Sequence, residues 1–494
     1  MLSTASSATA ALRALALGDG AASQLLEAHV ARIAQHNPRI RALVTLDIER
    51  ARAAAQAVDA LPLAERARRL AGEQPLLGLP ISIKDAFATQ GLRTTSSHPP
   101  LANYLPAADA TLVARLKAAG AIVLGKSNLS ELAGDPQCWS PLFGPTHNPW
   151  DLSLTPGGSS GGSAAAIAMG FAALELGSDI GGSIRIPAAC CGVVGFKASE
   201  NRLPRTGHIP HLPGQPRSVR HMLSFGLLAR TVADVAHAMP SLAGADGEDQ
   251  EVPPLPWRPQ PPLTRPLRLA WCDDFAGLPL CPRTRAGLTQ ALAGARAAGH
   301  QLLRRQPAGP PLAQVWRAFG VLAGSETGLA LPARQRWPLA LLAGLLPASQ
   351  PIAQGFAQGA RLSLRRLQWA LGVRDAWLRA LESMLYEVDA WLCPTLLCTA
   401  WPASPPPRHG GLPAPLNIGG RRVPYLEATL SLTSLFSLSG SPVLSLPVGV
   451  LDGVPVGVQL VGRKWRDEAL LAMGESLTAA WPAMPMPPGA QVDD

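Results

Sequence analysis

The sequence predicts an α/β protein, because short apolar segments with the pattern of β-strands alternate with segments of helical periodicity. Residues 77–85 and 121–126 have the composition of buried strands that end in polar residues. Between them, residues 109–120 carry leucine and valine at helical spacing and end at a glycine. Hydrophobic residues make up 47% of the chain, which is enough for a large buried core.

The other elements are predicted in chain order. We expect a helix over 5–35 that ends at His36-Asn37-Pro38, because proline cannot continue a helix. A strand over 42–46 and a helix over 47–72 follow. Beyond the middle of the chain, the patterns predict a proline-rich exposed excursion at 246–266, a strand at 267–271, a helix at 283–298, a largely helical block with five tryptophans at 312–391, and strands at 442–446 and 457–461.

The net charge of +9 would by itself suit an acidic partner such as nucleic acid. Most of the basic residues are scattered arginines, however, and the densest stretch is residues 361–366 on a predicted helix. Such a stretch is typical of a solvated helix face, and no nucleic-acid-binding motif accompanies it. We therefore expect no nucleic acid as a partner.

The seven cysteines and the hydropathy pattern narrow the class of protein further. The cysteines are irregularly spaced, without a Cys-x-x-Cys pair or a Cys/His cluster, so the sequence predicts neither a disulfide framework nor a metal site. No signal peptide is recognisable, and no apolar run approaches the roughly 18 residues that span a membrane. We expect a soluble, cytoplasmic protein that is a monomer or a homodimer.

Two Gly-Gly-Ser turns are the most informative feature of the chain. They lie at residues 157–159 and 181–183, so their serines are 24 residues apart. A helix and a strand between them would bring both turns to the same edge of a sheet. A nucleophilic serine needs a base, access for a carbonyl carbon, and donors for the oxyanion that forms. Glycine turns supply access and donors, because residues without a Cβ atom let backbone N–H groups converge.

The base is predicted to be Lys84. No histidine lies in either turn, and His147 precedes Asn-Pro, where a turn residue is equally consistent. Lys84 follows an apolar strand, where desolvation would lower its pKa, and a neutral lysine is a competent base. The alternatives are weaker, because the glycine-rich run lacks the spacing of a phosphate-binding loop and Cys190-Cys191 is typical of small buried residues rather than of a thiol nucleophile.

These segments resemble the amidase signature family. The blocks that carry the likeness are Gly78–Asp85, Leu124–Glu131, Gly144–Asp151, the glycine- and serine-rich segment over 155–189, Leu228–Asp234 and Gly453–Gly462. The resemblance implies a central mixed β-sheet flanked by helices on both faces, with a helical cap-like region. It also implies one large amidase domain made of N-terminal helices at 1–70, a catalytic core at 71–240, a variable, largely helical substrate-specificity region at 245–385, a return to the core sheet at 386–480 and a tail at 481–494.

The resemblance implies a role for each site residue. Ser183 is the nucleophile, Ser159 relays the proton, and Lys84 is the base. The family places the relay serine after a cis peptide, which here is Gly158–Ser159. The implied oxyanion hole is formed by the N–H groups of Ile180, Gly181, Gly182 and Ser183. The implied supporting residues are Gly158, Ser160, Asp179 and Arg185. Neither a metal nor an organic cofactor is implied.

Three functions stay open at this point. The first is hydrolysis of a small apolar or aryl amide, and the second is hydrolysis of a carbamate or ester by the same trio. The third is the glutaminase subunit of a tRNA-dependent amidotransferase, which acts in a complex. Ile180 and Ile186 argue against the third, because that subunit usually has Thr and Gln there. The apolar block at 312–391 favours the first.

Overall fold

The computed structural model describes residues 4, 6–209, 219–260, 263, 265–328, 341, 344–361, 363–407 and 413–490. Their strands are β1 (Leu43–Leu46), β2 (Pro80–Lys84), β3 (Ile122–Ser127), β4 (Trp139–Ser140), β5 (Gly144–Pro145), β6 (Leu174–Asp179), β7 (Val194–Lys197), β8 (Ser224–Ala229), β9 (Arg268–Trp271), β10 (Gln301–Arg304), β11 (Ala390–Pro394), β12 (Leu416–Ile418), β13 (Arg421–Val423), β14 (Val443–Leu451) and β15 (Val454–Val461).

The α-helices are α1 (Ala8–Leu17), α2 (Ala22–Ile40), α3 (Ile48–Asp59), α4 (Leu63–Ala71), α5 (Thr111–Ala118), α6 (Gly161–Ala168), α7 (Arg185–Cys191), α8 (Val232–Ala238), α9 (Pro282–Ala297), α10 (Leu312–Gly328), α11 (Pro351–Gly359), α12 (Leu364–Glu387), α13 (Tyr425–Ser439) and α14 (Asp467–Thr478). Single 3₁₀ turns occur at Pro99–Leu101, Glu131–Ala133, Met239–Ser241 and Pro488–Ala490.

Eleven of the strands form one mixed sheet in the order β1-β3-β2-β6-β8-β7-β14-β15-β11-β9-β10. β2 runs parallel to β3 and β6, whereas β8, β7, β14 and β15 pair with their neighbours in antiparallel fashion. With its helices, this sheet confirms the predicted α/β class and the mixed central sheet. Because β2, β3 and β6 are parallel, their carboxyl ends meet at one edge, where Lys84, Ser127 and Asp179 lie.

The N-terminal helical segment differs from the prediction in two ways. It forms two helices, α1 and α2, because the chain turns at Gly18, whose φ is +79°. In addition, α2 continues past His36-Asn37-Pro38 to Ile40. Pro38 lies in the last turn, so only one helical hydrogen bond is lost there. The Asn37 carboxamide then orders the following chain by accepting from the Leu43 N–H at 3.0 Å.

The predicted helix over 47–72 is also two helices, α3 and α4, which are separated around Pro62. The proline-rich stretch at 246–266 has no regular secondary structure where it is described, and most of its side chains are exposed or half-buried. That observation confirms the predicted excursion.

The largely helical block at 312–391 consists of α10, α11 and α12, and its end enters the sheet as β11. Residues 329–340 and 342–343 lie outside the described ranges. Three of its tryptophans, Trp316, Trp377 and Trp391, are buried in an apolar cluster with α13. They are therefore core residues, and the assignment of this block to substrate specificity stays a prediction.

Candidate active site

Lys84 is the last residue of β2 and is completely buried. Its Nζ lies 2.8 Å from Ser159 Oγ, 3.0 Å from Ser178 Oγ and 3.3 Å from Ser178 O. Burial lowers the pKa of Lys84 to about 7, although the negative charge of Asp179 acts in the opposite direction. A large fraction of Lys84 is thus neutral near pH 7 and can accept the Ser159 proton across this contact.

Ser159 lies in the turn that precedes α6, and the Gly158–Ser159 peptide is cis. Its side chain is completely buried, so its only route to the surface is through a neighbouring group. Position 158 requires glycine, because a Cβ atom there would stand 2.5 Å from the Gln137 carbonyl oxygen. The close approach of the 135–137 loop therefore fixes the turn that presents Ser159.

Ser183 lies in the tight turn between β6 and α7 and, unlike Lys84 and Ser159, is half-buried rather than buried. Its carbonyl oxygen accepts from the Ser160 N–H at 3.2 Å, so the two glycine turns are joined through their main chains. The Ser183 hydroxyl has no hydrogen-bond partner among the described residues. Contacts between catalytic groups are often long without substrate and tighten when it binds.

Asp179 and Arg185 fix the Ser183 turn. The Arg185 guanidinium binds the Asp179 carboxylate through Nε at 3.0 Å and Nη2 at 2.8 Å, and both side chains are fully buried. Arg185 also donates to the Thr433 carbonyl oxygen and to Ser437 Oγ on α13, both at 2.8 Å. Burial alone would raise the pKa of Asp179, but the charge and hydrogen bonds of Arg185 outweigh it and lower the pKa.

The oxyanion-hole prediction needs one correction. The Gly182 N–H donates to Asp179 Oδ1 at 2.8 Å, so it is not available to an oxyanion in this conformation. The carbonyl of the same peptide, Gly181 O, accepts from Thr433 Oγ1, and this peptide is therefore held at both ends. Within the described ranges, the N–H groups of Ile180, Gly181 and Ser183 have no acceptor, and we keep these three as the proposed donors.

Two groups that the sequence offered as alternatives have other partners. Cys190 and Cys191 are buried, and burial raises the pKa of both thiols well above its ordinary value, which disfavours the thiolate. His147 Nδ1 bonds the Leu152 carbonyl oxygen at 3.0 Å within its own loop. Neither observation provides a second nucleophile or base.

Sequence reasoning missed three residues around the site. Ser178 contacts Lys84 directly, and its position beside Asp179 at the end of an apolar strand was a local signal. Glu175 is buried beneath Lys84 on β6. Thr433 is 252 residues from the Gly181 carbonyl that it binds, so no local pattern could have found it.

The described part of the chain contains no group of three or more histidine, cysteine, aspartate or glutamate side chains suited to a metal ion. None of the described helices combines the length and hydrophobicity that a membrane crossing needs.

Comparison with known proteins identifies the family. The Amidase family model matches residues 24–471. A glutamyl-tRNA(Gln) amidotransferase chain of the A type, from Roseiflexus sp. (strain RS-1), is 34% identical, over 94% of both chains. A solved structure described as an amidase is 31% identical with a TM-score of 0.76 and covers 97% of this chain and 100% of its own. The corresponding amidotransferase chain of Thermotoga maritima is 26% identical, with a TM-score of 0.74 and 94% coverage of each chain. The chain belongs to the amidase family.

Proposed function

We propose that the protein hydrolyses the C–N bond of an amide through an acyl-enzyme on Ser183, with Ser159 as the proton relay and Lys84 as the base. The observation that carries this proposal is the 2.8 Å contact between the buried Lys84 Nζ and Ser159 Oγ. That pair lies beneath a half-buried serine in a turn with free N–H groups. A base, an accessible hydroxyl and oxyanion donors are the parts that acyl transfer requires.

The reaction follows from these positions. Neutral Lys84 accepts a proton from Ser159, which accepts one from Ser183 as its Oγ attacks the carbonyl carbon. The N–H groups of Ile180, Gly181 and Ser183 stabilise the oxyanion of the tetrahedral intermediate. The C–N bond then breaks, and Ser159 protonates the leaving amine. Water attacks the acyl-enzyme with the same pair as base, and the acid leaves.

A fluorophosphonate probe is expected to label Ser183, because the activated hydroxyl displaces fluoride from phosphorus. Peptide mass spectrometry of the labelled protein locates the modified residue. The Cys190→Ala variant should be labelled at the wild-type rate. Modification of Cys190 or Cys191 in place of Ser183 would contradict the serine mechanism.

The wall beside the oxyanion turn favours an apolar substrate. A Cβ atom on Gly181 would lie 3.4 Å from Leu430 Cδ2 and 3.4 Å from Phe319 Cζ, so these two side chains border the turn. Ile180 packs against the same apolar cluster. We therefore propose a small apolar or aryl amide as the substrate. A carbamate or ester with the same apolar group would suit the trio as well.

The second candidate is the glutaminase subunit of an amidotransferase. It is favoured by the 34% identity to the Roseiflexus protein over nearly the whole of both chains. Free glutamine carries an ammonium and a carboxylate close to the amide, and such groups are bound through charged or polar partners. Leu430 and Phe319 at the Gly181 turn are neither, which is why we place this candidate second.

A substrate panel separates the two candidates. We expect kcat/KM for aryl and apolar aliphatic amides to exceed that for glutamine by about 10²-fold or more, because apolar groups gain from burial against Leu430 and Phe319. Leu430→Asp should lower kcat/KM for the apolar amides by about 10-fold or more, whereas the volume-conserving Leu430→Met should change it little. Faster hydrolysis of glutamine, or activity that requires tRNA and a partner protein, would favour the second candidate. Matched carbamates and esters in the panel settle the leaving-group preference.

A further inference from the structure

A buried carboxyl group joins the elements that carry the Lys84–Ser159 pair. Glu175 lies on β6 and has no exposed surface. Its Oε1 accepts from Ser127 Oγ at 2.6 Å and from Ser163 Oγ at 2.9 Å, and its Oε2 accepts from Ser82 Oγ. All three serines are themselves completely buried. The carboxyl group is therefore enclosed by three hydroxyl donors.

Each of these serines belongs to a different element of the site. Ser82 lies on β2 two residues before Lys84, and its register partner on β6 is Glu175. Ser127 is the register partner of Lys84 on β3. Ser163 lies in the first turn of α6, four residues after Ser159. A single carboxyl group thus links the strand of the base, the adjacent strand and the helix that follows the relay serine.

Such an arrangement is costly for stability alone. A carboxylate taken out of water loses hydration, and hydroxyl donors replace only part of it. Burial raises the pKa of Glu175 to about 7, although the hydrogen bonds from Ser127, Ser82 and Ser163 act in the opposite direction. No salt bridge to Glu175 is present in the described part of the chain. Perturbed, desolvated carboxyl groups of this kind occur preferentially at functional sites.

The charges around the pair are few and can be named. Besides Glu175, the groups that act on Lys84 are Asp179, which is bound by Arg185, and the Cys138 thiol. The cation that acts on Glu175 from β3 is Lys126, which donates to Phe87 O and to Thr89 Oγ1 and also faces Asp85. Glu175 is the carboxyl group near Lys84 that has no arginine partner, so its charge acts on Lys84 without local compensation.

We propose that Glu175 is a positioning residue: through Ser82, Ser127 and Ser163 it holds the Lys84–Ser159 pair in place, and its negative charge sets the pH range in which Lys84 is neutral. This inference rests on the proposed function. Glu175 does not touch the substrate, and it acts through Lys84 alone.

The test is the pH dependence of the rate at which the fluorophosphonate labels Ser183 in the full-length protein. Glu175→Gln keeps the shape of the side chain but removes its charge. Without that charge the ammonium form of Lys84 is less stable, so the acid limb of the rate profile should move to lower pH, by about 0.5–1 pH unit. A purely structural role would lower the rate equally at all pH values and leave the limb in place.

Two further variants complete the experiment. Asp467→Asn removes another buried carboxylate, which binds the Ser199 N–H and hydroxyl, and should leave the acid limb unchanged. Ser163→Ala removes one donor from Glu175 without altering the carboxyl group, and should slow labelling several-fold even if Glu175→Gln does not fold. A wild-type acid limb in Glu175→Gln, or a wild-type rate in Ser163→Ala, would overturn the inference. Absence of Ser183 labelling in the wild-type protein would instead overturn the proposed function.

Discussion

Replacing Ser183 with alanine is expected to abolish amide hydrolysis, with kcat reduced by about 10⁴-fold or more. The variant lacks the oxygen that forms the acyl-enzyme, and Lys84 and Ser159 then have no nucleophile to activate. Initial rates on a hydrolysed amide, measured at saturating substrate, give the reduction directly. Residual hydrolysis would come from the oxyanion donors and substrate binding alone.

The fold of this variant is expected to be intact. The Ser183 hydroxyl has no hydrogen-bond partner among the described residues, and the contact with Ser160 uses the main-chain carbonyl, which alanine keeps. The change in unfolding free energy should therefore stay within about 0.5 kcal/mol, as measured by thermal or urea unfolding.

Ser160→Ala is a matched control on the neighbouring turn. Its hydroxyl reaches only the Ser178 carbonyl oxygen, at 3.5 Å, which is a weak hydrogen bond. We expect less than about a tenfold loss of kcat in this variant. If Ser183→Ala kept more than a tenth of the wild-type rate, or if both variants lost activity equally, Ser183 would not be the nucleophile.

Local sequence patterns were sufficient for the parts of the site that lie within a few residues of each other. The apolar strand that ends at Lys84 and the two glycine turns are visible because strand periodicity and glycine chemistry are local properties. The mixed sheet follows from their alternation with helices, together with the family resemblance. These predictions hold in the structure, where Lys84 and Ser159 are in contact.

Partners from distant parts of the chain could not be predicted in this way. Thr433 and Ser437 bind the Ser183 turn from α13, and Leu430 and Phe319 border it, yet each lies more than 130 residues away along the chain. The direction of the Gly182 N–H depends on the Asp179 carboxylate, whose rotamer is fixed by Arg185. A motif gives residue types and spacing, whereas N–H directions follow from the packed side chains.

The helix boundaries illustrate the same limit. Pro38 was expected to end a helix, but the helix continues to Ile40 because its last turn has few hydrogen bonds to lose. Whether a proline breaks a helix depends on which turn it occupies, and this position is set by the packing of α2 and not by the local sequence.

Replacing Lys84 with methionine is expected to lower kcat/KM at pH 7 by about 10²–10⁴-fold, since methionine fills a similar volume but cannot accept a proton. The wild-type profile should show why. Burial lowers the pKa of Lys84 to about 7, and only the neutral form is a base. Activity should therefore be constant above about pH 8 and fall tenfold per pH unit below pH 7, where the ammonium form dominates. In Lys84→Met the small residual rate should lack this acid limb.

A second buried lysine provides the control for that assignment. Lys197 is completely buried, and burial lowers its pKa to about 7 as well, but its Nζ donates to Ala198 O and Ser224 Oγ, not to a catalytic serine. Lys197→Met removes a group of the same type and the same titration range, and it should keep the acid limb near pH 7. Loss of the limb in Lys197→Met, or its survival in Lys84→Met, would show that the titrating base is not Lys84. Because both lysines titrate in one range, only this pair of variants connects the pH profile to the contact between Lys84 and Ser159.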